Sequence, residues 1–325
     1  MRVEPRRITV LDRPAPVPAD GEVLLRPLLA GVCGGDLMYF TDAGHVAGVT
    51  EAYVVCHEVL AEVVGTGARV VIDPMVHCGT CGFCTTARPQ LCHRRRDRGY
   101  GADGVAAELI SVPADKVFAV PDGVPDEAAA VAHGLAAVLH ALDQADTGRP
   151  PDTALVLGPG PAGMMFALVL RARGADVVLA GRPSSRLRHA AALGLRTVEL
   201  GSALVGALAD DSFDLVVETT GAASVQEAAL PLARRGGTYL LYAPGRFTLD
   251  ATMVFRREIR VQGSTGVTGR MDDALRVLRD GAVPVADLVT HTFGLDHVQE
   301  AFELASSPPG PRGHLVKALI DVGHG

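Results

Sequence analysis

The sequence predicts an α/β chain in which a doubly wound parallel sheet is joined to a barrel-like β domain. Three observations carry this. Short, almost continuously apolar runs alternate with helix-length segments in the second half. Strand-like runs closely punctuated by Gly and Pro fill the first half. A glycine-rich turn stands between a strand and a helix at Gly158–Gly163. At 325 residues the chain has room for two domains. With 48% hydrophobic and 21% charged residues it can bury a core, which argues against disorder. The net charge of −7 argues against a nucleic-acid or anionic-membrane partner, and 4% aromatics without Trp argue against base-stacking platforms. Met1–Arg7 has no apolar stretch behind its charges, and Ala154–Leu170 is broken by Gly158, Pro159, Gly160, Pro161 and Gly163. Neither a secretory signal nor a membrane span is therefore expected, and the reading is cytoplasmic.

In order, strands are predicted at Glu22–Ala30, Tyr53–Val64 and Arg69–Ile72. The character changes at Asp126, where an Ala-rich helix is predicted to Leu142, with acidic residues in its first turn. Thr153–Leu157, Val177–Ala180, Asp214–Glu218 and Thr238–Tyr242 then read as buried parallel strands. Val254–Gly263 is expected to add another strand, and Met271–Asp280 a helix. Ser306–Pro311 reads as a surface loop.

Six cysteines stand at 33, 56, 78, 81, 84 and 92. Cys78, Cys81, Cys84 and Cys92 have the C-x2-C-x2-C-x7-C spacing of a closed, structural zinc site, with Gly79 and Gly82 letting the backbone fold around one ion. Unligated thiols and an Fe–S cluster are the alternatives, although the spacing departs from ferredoxin patterns. His93–Arg98 is a basic run that reads as a solvated loop or as an attractor of an anionic substrate. His140 and His291 read as structural.

The Gly158-Pro159-Gly160-Pro161-Ala162-Gly163 turn follows a strand and opens a helix, as a dinucleotide site requires. Gly158 permits the turn, Gly160 lets a pyrophosphate approach, and Gly163 packs helix on strand, while Pro161 and Ala162 open the helix whose N–H groups face the phosphates. The next strand ends without an acid. Gly181 leaves room for a ribose 2′-phosphate, Arg182 and Arg186 can pair with it, and Ser184 can donate a hydrogen bond. NADP(H) is favoured over NAD(H) on this basis. Thr220, in Glu218–Gly221 at the end of a strand, is placed beside the nicotinamide.

Gly31-Val32-Cys33-Gly34-Gly35-Asp36, Cys56-His57-Glu58, the four-cysteine lobe and Asp103-Gly104-Val105-Ala106-Ala107-Glu108 occur in an order that resembles the zinc-containing medium-chain alcohol and polyol dehydrogenases. The resemblance spans nearly the whole chain. It implies a GroES-like β-barrel catalytic domain at 1–134 and 265–325, carrying the lobe at 78–92, with a Rossmann domain at 135–264 inserted between. It also implies Cys33 and His57 as ligands of a catalytic zinc, Glu58 beside the metal, and Asp36 holding the His57 tautomer. His133 occupies the place of the remaining ligand, with Glu58 as the alternative. Zinc would keep a position open for substrate oxygen, in a cleft where the reacting carbon meets the nicotinamide. The implied reaction interconverts a secondary alcohol and a ketone, the substrate being a small polar polyol, sugar or aminocyclitol, and the protein a homo-oligomer, dimer or tetramer.

This chain departs from the family pattern at three positions. Gly35 and Met38 stand where the family carries proton-relaying side chains, and neither can pass a proton. Cys56 replaces a glycine. The proton must then travel by Glu58, His45, Tyr39 or water, or the reaction is instead reduction of an iminium or activated C=C. A catalytically silent zinc- and nucleotide-binding protein is the reading outside enzymes.

Overall fold

The computed structural model describes residues 3–4, 6–41, 53–100, 102–200, 208–307 and 315–323, so His45 lies outside the described residues. Backbone contacts divide the chain into two units, Met1–Ala136 with Gly266–Pro308 and Leu315–Gly325, and Ala137–Thr265 with Pro309–His314. The strands that matter are β1 (Glu22–Val32), β2 (Glu58–Val63), β3 (Arg69–Ile72), β4 (Ile110–Pro113) and β5 (Val117–Ala119). They continue with β6 (Thr153–Leu157), β7 (Asp176–Gly181), β8 (Arg196–Glu199), β9 (Phe213–Glu218), β10 (Ala233–Leu241) and β11 (Arg260–Gly263). The last two are β12 (Val289–Gly294) and β13 (Lys317–Asp321).

In the first unit the strands run β12-β13-β1-β2-β3-β5, with β4 on β1, and every pairing except β12/β13 is antiparallel. Leu25, Ala30, Val32, Val59, Ala61, Val70 and Ile72 turn inward to one core, joined by Phe302 of the helix Val298–Ser306. Phe40 packs edge-on against Phe302 with ring centroids 5.5 Å apart, which anchors α1 (Gly34–Thr41) behind β1.

The second unit is a six-stranded, all-parallel sheet in the order β8-β7-β6-β9-β10-β11. Its strands are apolar on both faces because helices cover both. After β6 the chain winds outward through β7 and β8, and it returns at β9 to wind the other way. The crevice at the carboxyl ends of β6 and β9 is therefore a topological switch point, where such sheets bind ligands. The α/β class, with a Rossmann-type sheet and a separate GroES-like sheet, is what the sequence predicts.

Four elements differ from expectation. The strand predicted from Tyr53 begins at Glu58, because Val54 and Val55 bond the irregular Gly104–Ala106 segment and Cys56 turns into the left-handed region at φ 67°. The single helix predicted from Asp126 is two, Asp126–Ala130 and α2 (Ala132–Ala145), interrupted at Val131 (ψ 10°). Val254–Gly263 is not one strand. Asp250 caps a helix Ala251–Arg257 by accepting from Met253 N, Glu258 ends it at φ 50°, and only Arg260–Gly263 is extended. Ser306 ends the helix Val298–Ser306, and the rest of the predicted loop, from Pro308, lies outside the described residues. Among the described residues, no helix is long and apolar enough to cross a membrane.

Candidate metal and dinucleotide sites

Strand register assembles the first cluster. Gly31 of β1 pairs with Glu58 of β2, so the antiparallel strands bring Cys33, just past β1, to the same end as His57. Ala318 of β13 pairs with Val32 on the other side and delivers Lys317 to that end. A Cβ at Gly31 would lie 2.6 Å from Glu58 Oε2, so only glycine leaves room for this carboxylate over β1. The ligand atoms of Cys33, His57 and Glu58 all lie within 4.8 Å of one another. Cys33 Sγ is 3.3 Å from His57 Nε2, close to the roughly 3.5 Å between sulfur and nitrogen on one tetrahedral zinc. The donor set and its spacing fit zinc.

His57 Nδ1 lies 3.5 Å from Asp36 Oδ1, and Cys33 N donates to Asp36 Oδ2 at 2.8 Å, so Asp36 braces both residues. Burial disfavours a charged His57, yet Cys33 and Asp36 outweigh it and push its pKa well above the usual value. Such a pocket attracts positive charge, and a divalent metal competes with the proton for it. Glu58 Oε2 pairs with Lys317 Nζ at 2.7 Å, both side chains buried. Desolvation opposes the Lys317 charge, but Glu58 and Cys33 prevail and its pKa is raised.

His133, on α2, stands outside that close set, its ring centroid 5.1 Å from that of His57 and nearly perpendicular to it. It is fully neutral at ordinary pH, since burial and then the charge of His57 lower its pKa to about 4. Its Nδ1 is a buried atom with no hydrogen-bond partner among the described residues. Neutral imidazole is the form that binds metal.

Two residues here had no motif to announce them. Lys317 is one; Tyr100 is the other. Tyr100 Oη lies 3.1 Å from Cys33 Sγ and 3.3 Å from His57 Nε2, and its ring stacks on Tyr39 at 4.6 Å. Met38 is 49% exposed. Cys56 is fully buried, and burial raises its thiol pKa well above the ordinary value, which makes it unreactive.

The four-cysteine lobe forms around a short turn of helix at Gly82–Thr85. Sulfur separations are 3.8 Å for Cys78–Cys84 and 3.5 Å for Cys81–Cys84 and Cys78–Cys92, and all six cysteines are free. Four thiolates on one zinc stand about 3.8 Å apart, so the lobe fits that ion. Backbone N–H groups of Thr80 and Cys81 hold the Cys78 pKa down to about 5, while desolvation and neighbouring thiols push Cys84 up to about 12. The basic run beside the lobe is engaged locally. Arg95 forks onto Asp97, Arg94 reaches Thr80, and Arg98 donates to the carbonyl of Ser111.

In the second unit, Gly158 ends β6 at φ 109°, and Pro161 opens α3 (Pro161–Ala172) with Gly160 as its N-cap. A Cβ at Gly163 would meet the Gly158 carbonyl oxygen at 1.9 Å, whereas one at Gly160 would meet nothing within 4 Å. The turn is closed on its packed side and open on the side a pyrophosphate would approach. Gly181 ends β7, and a Cβ there would strike Pro159 at 2.4 Å. Ser184 caps α4 (Ser185–Ala192) by accepting from Leu187 N at 3.2 Å. Arg182 is exposed beside it, and burial lowers the pKa of Arg186. Thr220 is tied to Glu218, which also accepts from Gly221 N and Gln226 Nε2; it shapes the end of β9.

Comparison with known proteins gives a consistent picture. The alcohol dehydrogenase GroES-like domain model matches residues 19–122, and the zinc-binding dehydrogenase model matches residues 161–280. D-altritol 5-dehydrogenase from Agrobacterium fabrum (strain C58 / ATCC 33970) is 33% identical over 94% of this chain and 95% of its own. D-arabitol-phosphate dehydrogenase from Enterococcus avium is 27% identical, covering 97% and 94%. The structure of a zinc-binding dehydrogenase from Sinorhizobium meliloti 1021 bound to NADP is 25% identical and superposes with a TM-score of 0.87 over 98% of this chain and 97% of that one.

Proposed function

The chain belongs to the zinc-containing medium-chain alcohol and polyol dehydrogenases, and from that premise we propose that it moves hydride between NADP(H) and a secondary alcohol or its ketone. The substrate class proposed is a small polar polyol, sugar or aminocyclitol, in keeping with relatives named for altritol and arabitol phosphate. The observation that carries the reading is the convergence of Cys33, His57 and Glu58 within 4.8 Å, apart from the four-cysteine lobe.

Cys33 and His57 would hold the catalytic zinc, with His133 or Glu58 completing the set, and Cys78, Cys81, Cys84 and Cys92 a structural zinc. Bound catalytic zinc supplies a Lewis acid for the substrate oxygen, and the nicotinamide accepts or delivers the hydride. Asp36 orients His57 and the Cys33 backbone. Lys317 neutralises Glu58, which favours His133 as the third ligand. Gly158, Gly160, Pro161, Ala162 and Gly163 seat the pyrophosphate; Gly181, Arg182, Ser184 and Arg186 would receive the 2′-phosphate. The NADP-bound neighbour is in keeping with that preference. A homo-oligomer is proposed because β11 ends its sheet and Phe255, in the preceding helix, is 82% exposed.

Cys33→Ala is expected to lose one zinc equivalent and all turnover of polyols with NADP⁺ while the lobe keeps its zinc. Undiminished turnover in that variant refutes the catalytic site. Arg182→Ala is expected to cut the NADP⁺-over-NAD⁺ ratio of kcat/KM by roughly 10- to 100-fold, the worth of one charge-assisted contact. An unaltered ratio refutes the cofactor preference.

A further inference from the structure

Among the described residues, Gly35, Met38 and Glu58 give this site no route for a proton. An alcohol oxidised beside Cys33 and His57 must give up its hydroxyl proton. Gly35 has no side chain, Met38 has no proton-carrying group, and Glu58 is held by Lys317. Tyr100 supplies what is missing. Its hydroxyl lies 3.1 Å from Cys33 Sγ and 3.3 Å from His57 Nε2, within hydrogen-bond reach of both donor atoms. A metal held by these two residues would bring a substrate oxygen beside both of them as well.

The backbone is arranged to admit the phenol. A Cβ at position 35 would stand 2.2 Å from Tyr100 Oη and 2.8 Å from its Cζ, so any residue but glycine there would evict the ring. On its outer face the ring is fixed by the stacked Tyr39, nearly parallel at 13°. Gly35 and Tyr100 are thus one device: the side chain removed from α1 makes the space that a hydroxyl from a distant loop fills.

We propose that Tyr100 is a catalytic residue whose phenol hydrogen-bonds the reacting oxygen of the substrate and carries its proton to and from solvent. This rests on the reading of Cys33 and His57 as holders of the catalytic metal. In oxidation the substrate O–H bond breaks and its proton goes to the phenol oxygen, while the phenol's own proton leaves to water. The carbinol C–H bond would break with its electron pair, which the oxidised nicotinamide, when bound, would accept as hydride. Ketone, reduced nicotinamide and one proton in water result, and ketone reduction runs the same steps backward.

The test compares the zinc-loaded enzyme with Tyr100→Phe, Gly35→Ala, their double variant and the rescue variant Tyr100→Leu/Gly35→Ser. The probes are D-altritol and D-sorbitol with NADP⁺. Zinc content, the visible spectrum of the cobalt-substituted protein and the pH profile of kcat are read for each. Tyr100→Phe is expected to keep its zinc, shift the cobalt–thiolate absorption as Cys33 loses a hydrogen bond, and lower kcat by about 10²- to 10⁴-fold. Its kcat profile should move to higher pH, where hydroxide takes the proton. Gly35→Ala should lose as much, the double variant little more than either, and the rescue variant should regain activity through the hydroxyl introduced on α1. An unchanged kcat, profile and cobalt spectrum in Tyr100→Phe overturns the proposal. So does loss of zinc from that variant, which would make Tyr100 a metal ligand. If Cys33→Ala keeps all its zinc, the metal-site reading fails and the proposal falls with it.

Discussion

Replacing Lys317 by methionine tests the buried charge at the centre of the first unit. Its ammonium lies 2.7 Å from Glu58 Oε2, and the two side chains are 2% and 5% exposed. At an effective dielectric constant of about 20, that contact is worth about 6 kcal/mol of attraction, set against several kcal/mol of desolvation for each ion. The pair as a whole is nearly balanced, but removing only the lysine leaves Glu58 ionised, buried and unpaired, which costs about 3–5 kcal/mol. For a unit of this size each kcal/mol moves the midpoint by roughly 2–4 °C, so Lys317→Met is expected to lower Tm by roughly 6–20 °C. The assay is thermal unfolding of the zinc-saturated protein, with zinc content measured alongside so that lost metal is not read as a lost ion pair. Lys317→Met/Glu58→Gln removes both charges and should recover most of the loss. A shift below about 2 °C in the single variant, or a double variant no better than the sum of the singles, would refute the reasoning.

Gly163→Ala places a methyl group 1.9 Å from the Gly158 carbonyl, so the turn must deform; NADPH affinity by fluorescence titration should fall at least tenfold while the cysteine lobe keeps its zinc. Cys92→Ser breaks a four-thiolate set and should remove one zinc equivalent and lower Tm, with Cys33-site metal retained, as read by metal analysis after dialysis. Arg13 and Val54 N together hold the Asp103 pKa below its usual value against the opposing effect of burial. That contribution is complete above about pH 5 and is lost as pH falls through the lowered folded pKa, so Asp103→Asn should flatten the acid limb of the stability profile.

Elements set by local pattern were legible in the chain. Arg69–Ile72 and Thr153–Leu157 have the bounds their apolar runs suggest, and the lobe and the Gly158–Gly163 turn form where spacing places them. What was not legible depends on a neighbour distant in sequence. Tyr53–Val55 is apolar and reads as strand, but its bonding partner is the irregular Gly104–Ala106 segment. Val254 and Phe255 have strand-forming side chains, yet the Asp250 cap pulls them into a helix. Lys317 and Tyr100 belong to no motif, since β13 and the loop after Asp97 reach Cys33 only once the sheet has closed. The one available signal was an absence: Gly35 removes a side chain from a functional position, and an absence does not name what fills it.

Charge balance explains why the first cluster can be so buried. Asp36 and Glu58 are each 4% exposed, and Cys33 adds a third group that is anionic when it binds metal. Against these stands, among the described residues, one buried cation, Lys317, 2% exposed. Three negative charges and one positive leave a deficit of two, which a low-dielectric site does not tolerate unpaired. On the proposed reading, a divalent ion held by Cys33 and neutral His57 would close that balance, whereas a proton on His57 would close only half of it. On that reading the lysine would bear on metal binding as well as on Glu58. With it in place the site would demand a charge of two; without it the demand would be three, and zinc alone would leave one buried negative charge, that of Glu58, unpaired.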